Sequence, residues 1–215
     1  DAMILLNLEP VYAYPSGDGA RACTDSSEIE ELLCREKDAR AVIITSPSYY
    51  GSISDIEKIA AAVHSAGKKL IVDNAHGSHL AVIQQNGKPM HPFFHGADYC
   101  IDSLHKTLPA LTGCAFLHCR DPREDVLGAM RLFGSSSPSF PLAASAELAF
   151  NYLKTNCAED VSRVAKLISQ LASSFDQTAV SVCSSKNSDP LRLCLDYCRS
   201  TLTPLQAAKS LEARG

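Results

Sequence analysis

The sequence lacks the signatures of several common enzyme and binding classes. No GxGxxG and no P-loop are present, which removes the dinucleotide and nucleotide-phosphate fingerprints. No GxSxG elbow occurs, so a serine hydrolase has no nucleophile in its expected turn. No apolar stretch approaches the roughly 18 residues of a membrane span. No basic run accompanies the net charge of -4 and the pI near 6.0, so neither a membrane nor nucleic acid is an expected partner. Asp1-Ala2-Met3 has no basic region of the kind that opens a signal peptide. No CxxC pair and no Cys/His set at zinc-ligand spacing is found, so no metal site is expected. The nine cysteines are odd in number, and the chain is too large to need disulfide staples. Those in apolar runs, such as Cys100 and Cys114, read as small buried hydrophobes, and the expected compartment is the reducing cytoplasm.

What is present is an alternation of short apolar runs and amphipathic segments in 215 residues, 46% of them hydrophobic. Met3 to Tyr12 reads as an apolar piece followed by a strand. Ser26 to Arg35 reads as a helix capped by Ser26 or Ser27. Strands are predicted at Arg40 to Thr45, Lys69 to Asp73, Asp98 to Ser103 and Gly113 to Cys119. Asp55 to Ala66 has Ile56, Ile59, Ala60 and Val63 at the helical period, with Gly67 as its stop. Further helices are predicted at Arg123 to Leu132, Leu142 to Lys154 and Asp160 to Ser173. The rhythm predicts an α/β fold, a mostly parallel sheet with helices on both faces. After Ser174 the texture changes to strands at 179–182 and 191–195 and a helix from Thr203 to Ala213. A boundary is therefore placed between a domain of residues 1–185 and the start of a smaller α+β domain at 186–215.

Two of the predicted strands end in chemistry. Leu70-Ile71-Val72 runs into Asp73-Asn74-Ala75-His76-Gly77, and Tyr99-Cys100-Ile101 runs into Ser103-Leu104-His105-Lys106. Ligands of open α/β sheets bind at the carboxyl ends of strands. An amine, a carboxylate, a hydroxyl and imidazoles gathered there suit a cofactor with a carbonyl, a ring nitrogen and a phosphate, which describes pyridoxal phosphate (PLP). Lys106 would carry the carbonyl once free of its proton; by itself it could equally be a solvated lysine at a strand end. Asp73 would face the ring nitrogen, or else cap a turn. Ala75 is small enough for a flat ring to lie against it. His76 would contact the reacting region, whereas His79 reads as a loop-lining residue. Ser103 and His105 alternate about Leu104, so strand periodicity would put both on one side, towards a phosphate. Residues 134–139, Gly-Ser-Ser-Ser-Pro-Ser, form a hydroxyl-rich loop before a helix, a place for an anion.

With these segments the chain resembles the Orn/Lys/Arg decarboxylase family of fold-type I PLP-dependent enzymes, in its shorter bacterial arginine/lysine decarboxylase-like branch. The resemblance is carried by residues 44–51 (ITSPSYYG), 72–79 (VDNAHGSH), 103–112 (SLHKTLPALT), 136–140 (SSPSF) and 189–193 (DPLRL), in the family's order. It implies a fold-type I large domain in which Lys106 bears the cofactor, Asp73 pairs with the ring nitrogen, Ala75 packs on the ring, and Ser103 and His105 hold the phosphate. His76 would join Lys106 and Asp73 in catalysis. Ser136 would reach a phosphate in a partner subunit, which implies a homodimer or larger homo-oligomer with shared sites. The implied reaction is loss of CO2 from arginine, lysine or ornithine, giving a polyamine or its precursor. An aminotransferase on the same scaffold, or a non-catalytic relative, are the alternatives. Asn74 stands where the family usually has glutamate. By the same resemblance the chain is expected to be an internal piece of a longer protein, lacking an upstream phosphate loop and a ring-stacking histidine, and inactive alone.

Overall fold

The computed structural model describes residues 2–17, 19–134, 137–175, 179–183 and 187–214. Its centre is a four-stranded sheet built from β1 (Ala41–Thr45), β2 (Lys69–Asp73), β5 (Tyr99–Ser103) and β6 (Ala115–Cys119), in the order β1-β2-β5-β6. The first three run parallel, with Thr45 opposite Asp73 and Asp73 opposite Ile101, so their carboxyl ends lie side by side. β6 is antiparallel to β5. Only the short turn helix α4 (Leu104–Thr107) and a loop connect β5 to β6, too little chain for a parallel crossover. The mostly parallel α/β architecture expected from the alternation is the one observed.

A short N-terminal helix, α1 (Ala2–Leu5), precedes α2 (Ser26–Arg35), and α3 (Ile56–Ser65) connects β1 to β2. Ile29 and Leu33 of α2, and Ile56, Ile59, Ala60 and Val63 of α3, pack on Ile44, Leu70, Val72 and Cys100 of the sheet. Ile59, Val63, Leu70 and Val72 are fully buried. The strands are not sealed equally on both faces, although their continuous apolar runs predicted that. Ile43 in β1 is 64% exposed beside buried Ile44, so the pleat separates a dry face from an open one. Between β2 and β5 lies the hairpin of β3 (Gln84–Gln85) and β4 (Lys88–Pro89), whose Asn86 and Gly87 both have positive φ, as a two-residue type I′ turn requires.

Beyond the sheet come α5 (Val126–Phe133), α6 (Phe140–Thr155) and α7 (Cys157–Ser174). A second cluster joins Leu104, Leu108 and Cys114 to Ala149, Cys157 and Val161 of α6 and α7. A separate two-stranded antiparallel sheet pairs β7 (Ser181–Cys183) with β8 (Cys194–Asp196), and α8 (Pro204–Glu212) starts with a Thr203–Gln206 capping box. All nine cysteines are free thiols.

Two local expectations are corrected. The helix at Ser26 is capped by Asp25, whose side chain accepts from the Ser27 N–H; a carboxylate one residue earlier outcompetes either serine. The strand expected before Tyr12 does not form. α1 ends at Leu5, and Ile4, Leu5 and Tyr12 remain exposed. Apolar composition there has no neighbouring ladder to fix a register.

A buried carboxylate ties the sheet together. Asp102 in β5 accepts from His118 Nε2 of β6 at 2.9 Å, from His91 Nε2 at 3.0 Å and from Asn74 Nδ2 at 2.6 Å. His91 Nδ1 accepts the Phe93 N–H, so the neutral ring carries its proton on Nε2 and donates it to Asp102. His91, Cys100 and Asp102 are close enough to resemble a metal-ligand set. The tautomer imposed by Phe93 instead makes His91 a donor to the carboxylate. Burial opposes the charge on Asp102, but the hydrogen bonds from His118, His91 and Asn74 outweigh it and hold the carboxyl well below its usual range. Burial, followed by the Asp102 charge, pushes the Cys100 thiol up, so it stays protonated.

Two predictions follow from this packing. Ile59→Ala should cost about 2–5 kcal/mol through its cavity, whereas Leu148→Ala, on an exposed face of α6, should stay within about 0.5 kcal/mol; denaturant melts compare them. Because Asp102 is depressed on folding, its contribution is complete above the unfolded carboxyl value of about 4 and fades as pH falls towards the folded value. Asp102→Asn should therefore cost roughly 1–3 kcal/mol at neutral pH and flatten the acid limb of stability against pH.

Candidate active site

The carboxyl ends of β2 and β5 carry the residues that the sequence singled out. Asp73 closes β2, and its Oδ1 accepts the Ala75 N–H at 3.0 Å, turning the chain sharply out of the sheet. Asn74 faces the other way, into the interior, and is fully buried. Gly77 follows where the turn packs tightly: a Cβ there would lie 2.1 Å from Asn74 Oδ1 and 2.6 Å from Pro47. Ala75 is buried, and His76 emerges half-buried at the mouth of the turn.

Asn74, which stands where the resembled family usually has glutamate, has a partner of its own in the interior. Its amide donates to Asp102 Oδ1. A glutamate at that position would offer only acceptors when ionised and would set a second carboxylate against a buried one. The amide is therefore a matching partner for Asp102.

Lys106 lies in the α4 turn, anchored by buried Leu104, and projects into solvent with Nζ 3.4 Å from His76 Nε2. The structure thus brings together His76 and Lys106 from two separate strand ends. His76 also meets the edge of the Tyr49 ring at 5.5 Å between centroids, and its Nδ1 is 3.3 Å from Arg192 Nη2. Burial, then the charges of Lys106 and Arg192, lower the His76 pKa against the opposing pull of Asp73 and Asp189. The ring is therefore neutral near pH 7.

Ser103 ends its strand as expected, but the alternation that was to carry on to His105 does not hold. β5 stops at Ser103, which caps α4 without a side-chain hydrogen bond to the turn. The backbone is helical from Leu104, so strand alternation does not extend to His105, whose Nδ1 donates to the Cys114 carbonyl at 3.3 Å. Ser136 lies outside the described residues.

Three participants carried no assigned role in the sequence. Asp189 is fully buried and pairs through Oδ1 with His79 Nε2 at 2.9 Å; His79 is itself 1% exposed, a sealed contact rather than a loop lining. Arg192 reaches His76 from the same segment. Tyr49 arrives from the loop after β1. The Asp-Pro and Tyr-Tyr-Gly patterns marked these loops, but no local spacing pairs residues 110 positions apart, as His79 and Asp189 are.

Comparison with known proteins places the chain in a family. Residues 1–189 match the family model described as Orn/Lys/Arg decarboxylase, major domain. The chain is 35% identical over 183 residues to the uncharacterized protein YaaO of Bacillus subtilis, covering 81% of this chain and 38% of that protein. It is 25% identical over 182 residues to an arginine decarboxylase of the same organism, covering 82% of this chain and 37% of the relative. It is also 27% identical over 161 residues to an arginine decarboxylase of Halalkalibacterium halodurans, covering 72% and 32%. The chain thus spans less than two fifths of the length of these relatives. Among solved structures, an apo cysteine desulfurase from Thermococcus onnurineus aligns with a TM-score of 0.71 at 18% identity, over 99% of this chain and 56% of that one. A SepCysS chain, from a complex with the SepCysE N-terminal domain, aligns at 0.65 and 12% identity, over 87% and 52%. These likenesses show the fold-type I architecture. With a family model matched across residues 1–189, over a sheet whose strand ends present Asp73, His76 and Lys106, the chain belongs to the Orn/Lys/Arg decarboxylase family.

Proposed function

We propose that this chain supplies the cofactor-bearing part of a PLP-dependent decarboxylase acting on a basic amino acid: arginine, lysine or ornithine. The observation that carries the reading is the meeting of Lys106 Nζ with His76 Nε2 at the end of parallel strands β2 and β5, beside Asp73. The donor set fits the cofactor: an exposed amine for its carbonyl, a carboxylate for its ring nitrogen, and a buried alanine where a flat ring can approach the backbone.

In this reading Lys106 would hold PLP covalently, and Asp73 would keep the ring nitrogen protonated. When bound, PLP would supply an electron sink for the pair left on the α-carbon as CO2 departs, a proton replacing the lost carboxyl group. The protein positions the scissile bond and excludes competing reactions. His76, neutral and within reach of Lys106, can hold or pass a proton at Nε2. Ser103, His105 and Ser136 are assigned to the phosphate, Ser136 from a partner subunit, so the working form is a homodimer or larger. A decarboxylase feeding amine or polyamine synthesis belongs in the cytoplasm, and among the described residues no helix is long and apolar enough to cross a membrane.

The fold-type I scaffold also hosts other chemistry, as the cysteine desulfurase likeness illustrates, so the test must read the product. The intact protein loaded with PLP, reduced with borohydride and mapped by peptide mass, should carry its label on Lys106 and lose it in Lys106→Ala. With arginine, lysine or ornithine it should release CO2 and the corresponding amine. Keto-acid formation would replace the decarboxylase reading with an aminotransferase, and absence of label on any lysine would leave a non-catalytic relative. Asp73→Asn should lower kcat by roughly 10²-fold, because a neutral amide no longer holds the ring nitrogen protonated.

A further inference from the structure

Arg192 stands on the opposite side of His76 from Lys106, delivered there by a built support. Asp189 donates its N–H to the Gly51 carbonyl at 2.8 Å, accepts the Leu191 N–H at 2.9 Å and pairs with buried His79. The Arg192 N–H then donates to the Asp189 carbonyl at 3.1 Å. The side-chain stem crosses Gly51, where a Cβ would fall 2.7 Å from Arg192 Cβ and 2.8 Å from its Cγ. Gly51 also has a φ of +90°, so both its backbone and its missing side chain serve this approach.

A guanidinium has only donors. With Arg192 Nη2 at 3.3 Å, His76 Nδ1 accepts, and once Lys106 is a free amine rather than an ammonium the single proton of a neutral imidazole is left on Nε2. That nitrogen is the one facing Lys106 Nζ. We propose that Arg192 is a positioning residue that fixes His76 in its Nε2–H tautomer and so presents that proton to the nitrogen of Lys106.

An ammonium group has no lone pair with which to accept an N–H, whereas a free amine does. The arrangement therefore suits the amine that attacks a carbonyl. This consequence rests on the reading of Lys106 as the cofactor-bearing lysine; the tautomer requires only that Lys106 be a free amine, because an ammonium at 3.4 Å would itself call for an acceptor at Nε2. The groups facing His76 are Lys106 from α4, Asp73 from β2, the Tyr49 ring from the loop after β1, and Asp189 and Arg192 from the segment after β7. Arg192 is one of the two cations acting on the ring, so its loss should move the His76 titration upward.

The test is nitrogen-15 NMR of histidine-labelled intact protein without PLP, with His76→Gln to assign the signal. His76 is expected to show a protonated Nε2 and a bare Nδ1 at alkaline pH, where Lys106 has given up its extra proton. Arg192→Gln, which keeps an N–H to donate, should retain that tautomer. Arg192→Met should give a mixture, raise the His76 midpoint and slow capture of added PLP by Lys106 roughly tenfold, the weight of one charge-assisted hydrogen bond. Gly51→Ala, which displaces the Arg192 stem without removing the charge, should weaken the tautomer preference too and covers the case in which Arg192→Met does not fold. A protonated Nδ1 in the unmodified protein at that pH, or an unchanged tautomer and midpoint in both Arg192→Met and Gly51→Ala, would overturn the proposal. Failure of PLP to attach to Lys106 in the unmodified protein, with the tautomer as expected, would instead count against the functional reading alone.

Discussion

The buried carboxylate of Asp102 is the constraint around which the site is arranged. It cannot remain ionised in the interior without donors, and it obtains them from three separate places: His118 on β6, His91 in the loop before β5, and Asn74 just past β2. Meeting that demand aligns the end of β2 with the end of β5. Asp73 and Ser103, the immediate neighbours of Asn74 and Asp102, then emerge together on the other side of the pleat. The same demand selects an amide at position 74, because a second carboxylate would leave both charges uncompensated.

The hydrophobic packing supports this alignment from one side. Ile59 and Val63 of α3 press on Leu70 and Val72, which fixes β2 in depth and register. The two halves of the site then differ in how they are held. Asp73 and Ala75 sit on a turn braced by the sheet, whereas Lys106 sits on a single helical turn anchored by Leu104. Arg192 is supported by neither, and depends on the sealed His79–Asp189 contact to hold its segment against the loop around Gly51.

Two cations, Lys106 and Arg192, meet two carboxylates, Asp73 and Asp189, around His76, whose ring can both donate and accept. Its neutrality follows from burial and from Lys106 and Arg192 on either side. A lysine beside a neutral imidazole whose other nitrogen is occupied by a guanidinium is a more specific arrangement than a lysine after an apolar strand.

The order of elements, the parallel core of the sheet and the placing of Asp73 and Lys106 at strand ends were determined by the sequence alone. The reason is that hydrophobic period and chain breaks are local: Lys69 to Asp73 and Ser26 to Arg35 coincide with β2 and α2. The antiparallel direction of β6, the exposure of Ile43 and the missing strand before Tyr12 were decided by which neighbours each segment found. The same holds for His105, whose side chain follows a helical turn rather than the strand alternation read from its sequence. Only the tertiary structure joined His79 to Asp189, Arg192 to His76 and Asn74 to Asp102. These are contacts between groups far apart along the chain, and they are set by the cost of burying charge, which has no period to read.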